Sequence, residues 1–122
     1  MLENEESIHH PLRYEDIALI ESTNLSHIDK HYLRLLAHCL NSFKSMVGEA
    51  SFGDIPSREM QIKWFKRLKP FQGDDSFLQV FLDQLDVAAK QLEKLAEKYS
   101  ISPLELTIEH LVSSANGSQD NQ

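Results

Sequence analysis

A single cysteine, Cys39, is all the thiol chemistry this 122-residue chain contains. One cysteine forms no disulfide within the chain and builds no multi-cysteine zinc or iron–sulfur site. Glycine and proline are scarce as well, four of each. That scarcity speaks against a turn-rich β fold and leaves no glycine-rich loop to cradle a phosphate. No apolar run reaches the roughly 20 residues that a membrane-spanning helix needs. Positive charge is in deficit: 12 Lys and Arg stand against 19 Asp and Glu, a formal net charge of −7. A general nucleic-acid binder draws its affinity from clustered Lys and Arg, so this balance argues against one. The opening MLENEESIHH is acidic and polar, unlike a secretory or transit signal, and a cytoplasmic location is expected.

What the chain does have is helical periodicity in a length suited to one domain with one modest core. Residues 1–12 show no period and read as a flexible acidic leader. Residues 13–115 read as a single helical domain and 116–122 as a disordered polar tail. Within 13–22 (RYEDIALIES), Ile17, Leu19 and Ile20 suffice for either a short helix or a strap laid on the core. Ser26 followed by Asp29 resembles a capping box. After it, Ile28, Tyr32, Leu35, Leu36, Cys39, Leu40, Phe43, Met46 and Val47 mark a wide apolar stripe that Gly48 is placed to end. A loop over 48–57 leads to a helix from Pro56 or Ser57 to Lys69, stopped by Pro70, with Met60, Trp64, Phe65 and Leu68 on its apolar face.

A long helix is predicted over about 75–99, capped by Asp74, Asp75 or Ser76. Its Leu78, Phe81, Leu85, Ala88, Leu92, Leu95 and Tyr99 alternate steps of three and four. In ISPLEL, Ser102 reads as the N-cap, Pro103 as the first helical residue and Glu105 as the closing member of a capping box. A short C-terminal helix over about 103–114 follows, with Leu104, Ile108, Leu111 and Val112 inward. The fold class expected is therefore all-α, a four- to five-helix bundle.

Candidate chemistry is thin. His27, His31 and His38 are spaced to project from one side of a helix, and a histidine pair four apart can grip zinc, copper or nickel. The set is short of ligands, since His38 lies about 10 Å along the axis from His31 by helical rise. No HExxH pattern accompanies it. With Lys30, Arg34, Asn41 and Ser45 the histidines read better as the polar flank of an amphipathic helix. Asp83 and Asp86 read as the solvent side of the long helix rather than as a catalytic pair. No catalytic residue, cofactor or metal is assigned, and an enzyme is the least favoured class.

The stretch SREMQIKWFKRLK (57–69) sets five Lys and Arg against Glu59, interleaved with Trp64 and Phe65. Its Lys63, Trp64, Lys66, Arg67 and Lys69 are candidate contacts for an acidic partner, nucleic acid or a membrane surface. The segment QLEKLAEKYSISPLELTIEHLV (91–112) resembles the two-helix part of ribbon-helix-helix repressors and the helix–turn–helix of many regulators. That resemblance implies a DNA-binding regulator reading through a strand at 76–84 or through the second helix. SFLQVFLDQ (76–84) offers no Lys or Arg, however, and LELTIEHLV offers Glu105 and Glu109. The favoured expectation is an interaction or regulatory module that pairs with itself as a homodimer and with another protein, with nucleic acid second and no membrane. It rests on the long helix, whose stripe spans about 30 Å at 1.5 Å per residue and has Phe77, Leu82, Val87 and Ala89 flanking it. Leu78, Phe81, Leu85 and Leu92 are the contacts expected there.

Overall fold

A computed structural model describes residues 13–49, 51–68 and 72–120, with side chains through residue 116. Its elements are α1 (Tyr14–Glu21), α2 (His27–Met46), α3 (Arg58–Lys66), α4 (Asp75–Tyr99) and α5 (Ile108–Asp120), with one 3-10 turn at Pro103–Glu105. There is no strand among the described residues, so the chain is an all-α bundle as expected. The leader at 1–12 and the Lys69–Pro70 helix stop fall outside the described residues.

Local chemistry sets most of the boundaries. Ser26 Oγ accepts the Asp29 N–H at 3.1 Å and starts α2. Past Met46 the chain turns through Gly48 and Glu49, both left-handed, and the Glu49 N–H returns to the Lys44 carbonyl at 2.8 Å. Ser57 caps α3 by accepting from Met60 N. Of the three candidates for starting α4, Asp74 does so, taking the Phe77 N–H at 3.0 Å. Ser100 at φ 60° closes α4, and the Ile101 N–H reaches back to the Ala96 carbonyl. The segment at 13–22 is a helix rather than a strap, and Ile20 is fully buried.

Two expectations need correction at the C-terminal end. The capping signal in ISPLEL is real, for the Glu105 carboxylate accepts Ser102 N–H at 2.8 Å and Ser102 Oγ–H at 2.7 Å. It starts only one 3-10 turn, because Leu106 swings extended to φ −62°, ψ 146°. That residue is fully buried, and Lys44 Nζ donates to its carbonyl at 2.8 Å. Tertiary packing here overrides a local helix start. The true last helix begins afterwards with its own reciprocal cap. Thr107 Oγ1 accepts the His110 N–H at 3.4 Å, and His110 Nδ1 accepts the Thr107 N–H at 3.0 Å. This helix is Ile108–Asp120, not 103–114, and so it runs on through most of the stretch expected to be a tail.

The core forms where α2 and α4 pack against each other, with α1, α3, the 3-10 turn and α5 closing around them. Leu33, Leu36, Leu40 and Phe43 of α2 meet Leu78, Leu82, Leu85 and Leu92 of α4, with Leu104, Leu106 and Leu111 packed beside them. Each such side chain removed from water contributes roughly 1.5–3 kcal/mol. Phe65 of α3 stands edge-on to Phe81 with ring centres 5.0 Å apart, and Arg58 bonds Gln79 and Asp83 at 2.9 Å each. The loop before α3 is tied in by Gly53. Its N–H goes to Ser102 Oγ at 2.8 Å, and its carbonyl takes the Leu104 N–H at 3.0 Å. At φ 120° this position suits glycine, whose missing Cβ removes the steric penalty.

Candidate functional site

The apolar stripe predicted on α2 is wider than the arc the fold covers. Leu33 and Ala37, absent from that stripe, are buried. Ile28 at 81 % exposure, Leu35 at 52 % and Tyr32 at 44 % face outward instead. On α4 the buried arc runs through Leu78, Leu82, Leu85, Ala89, Leu92 and Ala96, so the core seam is turned toward Leu82 and Ala89. Phe81, Leu95 and Tyr99 are only partly covered, while Phe77, Val80 and Val87 are exposed.

These outward arcs meet. Leu35, His38, Cys39 and Ser42 of α2 and Phe77, Val80, Phe81, Gln84, Leu85 and Ala88 of α4 line one open groove of about 600 Å³. Residues 35–42 share this groove with 77–88, and residues 25–36 share the neighbouring hollow with Gln91 and Leu95, so the two helices run antiparallel. No Asp, Glu, Lys or Arg lines it. A long concave strip with large apolar side chains half in water is the form that proteins use to receive a helix or a short peptide.

The contacts expected from sequence divide sharply. Leu78 and Leu92 are core residues, 1 % and 0 % exposed, and correct the expectation that a partner reaches them. They lie on the arc of α4 that faces α2, and the chain itself occupies it. Leu85 is buried as groove floor, and Phe81 is half-buried in the groove wall. Lys63, Lys66 and Arg67 are exposed on α3, and Trp64 packs partly against the core with Arg67 at 5.5 Å from its ring. Lys69 lies outside the described residues. Sequence reasoning missed Leu35 and Val80 as surface groups. The signal available was the second seam on α4, in which Phe77, Val80, Gln84 and Val87 repeat at helical spacing.

His27 and His31 are exposed and His38 is half-buried on the groove wall. No cluster of three His, Cys, Asp or Glu able to hold a metal ion occurs among the described residues. Cys39 sits under the groove, and burial pushes its thiol up to about 11. The Tyr32 phenol is raised in turn, first by burial and then by Cys39. A thiol held protonated in this way is a poor nucleophile. A second hollow of about 380 Å³, lined by Leu25, Tyr32, Leu33, Leu95, Leu111 and others, continues along α2 toward α5.

The regulator resemblance finds no matching geometry. Residues 76–84, the strand in a ribbon-helix-helix repressor, are the first turns of α4. The stretch after the turn buries Leu104, Leu106, Leu111 and Val112 and exposes Glu105 and Glu109, so it presents no basic reading face. No helix of the described residues is long and apolar enough to cross a membrane.

Comparison with known proteins adds one finding to this geometry. No curated protein and no solved structure matches the chain. A family model does match, over residues 12–122, and its description is NDH complex assembly factor CRR9. The match takes in all five helices and both walls of the groove, and the chain belongs to that family.

Proposed function

We propose that this chain takes part in assembling the NDH complex by holding a protein component of that complex in the α2/α4 groove. Family membership supports the process, and the groove supports the means. The observation that carries the reading is the exposure of Leu35, Phe77 and Val80, at 52 %, 47 % and 58 %, along one uncharged trough. Exposed side chains of this size cost solubility unless something covers them part of the time. An assembly factor needs such a surface, because it must bind a component and later release it.

The test uses the full chain with Leu35→Asp and Val80→Asp together. Both sites are exposed, so the helical circular dichroism spectrum is expected to be unchanged. Accumulation of the assembled complex in cells carrying only this variant is expected to fall to the level seen without the protein. Normal accumulation would sink the proposal.

A further inference from the structure

Resting on that reading, we infer that the groove's occupant is an amphipathic helix with an acidic polar flank. Scale is the first argument. Ten residues line the groove, against roughly 20–30 residues a side in a stable protein–protein interface. The exposed seam from Phe77 to Val87 extends about 15 Å at the helical rise, enough for about three turns of a bound helix with anchors three and four residues apart.

Charge is the second argument. The chain carries −7 overall, yet no carboxylate lines the groove. Along the outer edge of α2, His31, Arg34 and His38 follow at steps of three and four, a spacing that puts them on one flank beside Leu35. At the Phe77 end, Lys66 of α3 reaches Asp75 in the first turn of α4 at 3.9 Å, with Arg67 exposed next to it. Two carboxylates nearby are already engaged. Glu21 lies 4.0 Å from Arg34, and Asp83 is turned to Arg58 at 2.9 Å. Long, exposed pairs such as Arg34–Glu21 are worth little and yield to a closer partner. The histidine row that looked like an incomplete metal site is thus the rim of a docking trough.

The same charge argues against a second copy of this chain as occupant. Two copies bring −7 against −7, and an isologous contact sets each α2 rim near its twin.

Fluorescence anisotropy with two synthetic 18-residue peptides separates the possibilities. Both carry the same leucine face, and one has a glutamate flank and the other a lysine flank. The glutamate peptide is expected to bind about tenfold tighter at low salt, a gap that narrows as salt screens it. Arg34→Glu should cancel that gap, while Leu35→Asp with Val80→Asp should abolish binding of both peptides. Equal binding, or preference for the lysine peptide, overturns the acidic-flank inference and leaves the groove reading standing. Binding of neither peptide, or binding that survives Leu35→Asp with Val80→Asp, overturns both. Light scattering that gives twice the chain mass, reduced to one by the same double variant, assigns the groove to a second copy and overturns the inference.

Discussion

The two apolar faces of α4 behave differently. The inner one alternates large and small residues: Leu82, Leu85 and Leu92 fill the core, and Ala88, Ala89 and Ala96 leave room for neighbours to approach. Ala89, for example, shares a small hollow with Ile55 and Pro56 of the loop before α3. The outer face carries Phe77, Val80 and Val87, all exposed, with Ala88 and Leu85 at its boundary with the inner one. Hydrophobic spacing marks both faces equally. Which of them gets covered depends on side-chain size and on how many helices the chain can supply.

The sharpest way to break that comparison is to truncate one residue on each side. Leu92→Ala, on the inner face and fully buried, should lower unfolding free energy by about 3 kcal/mol in a denaturant titration. Val80→Ala, on the outer face, should change it by less than about 0.5 kcal/mol. Equal losses would mean that the outer face is covered within the chain and is no groove.

The next effect is smaller and tests how the inner elements are pinned. Ser102→Ala removes the hydroxyl that accepts from Gly53 and donates to Glu105. A loss of about 1–2 kcal/mol is expected by the same titration, the scale of a lost cap together with a stranded amide. No loss would show that the 3-10 turn holds without its serine.

The smallest effect concerns pH. Glu105 is held below its ordinary 4.5, first by the Ser102 N–H and then by the Ser102 hydroxyl. A carboxylate lowered in the folded state stabilises the fold above its unfolded value, and the contribution fades as pH falls toward the folded value. Thermal melts of the parent chain should therefore decline below about pH 4.5 more steeply than those of Glu105→Gln. Parallel declines would separate the turn from any acid sensitivity.

Much of the frame was legible in the sequence because its determinants are local. Ser26, Ser57 and Asp74 each cap a helix from among the positions the spacing suggests, and α4 ends at Tyr99, about where its period stops. The site was less legible. On α2 the apolar arc includes both Leu36 and Leu35, adjacent in sequence, yet one is core and the other is groove. A period of 3.6 residues measures how wide an apolar arc is and carries no mark of which part another helix covers. The break at Leu106 was hidden for a related reason. Its extended backbone follows from full burial of the side chain and from a carbonyl taken by Lys44, a residue 62 positions away. Only the Thr107–His110 cap had a local signature, with histidine where glutamate usually stands.

Gly53 has a consequence for the order of folding. Its two bonds to Ser102 and Leu104 join segments 49 positions apart and enclose α3 and all of α4 in one ring of chain. Closing so long a ring costs entropy that a nine-residue helix such as α3 cannot offset alone. Pairing α2 with α4 shortens the stretch left to close, so the ring is expected to close upon that pair. In the reverse direction, release of the Gly53 bonds loosens the loop at 51–57, while Phe65 against Phe81 and Arg58 to Gln79 and Asp83 still hold α3 on α4.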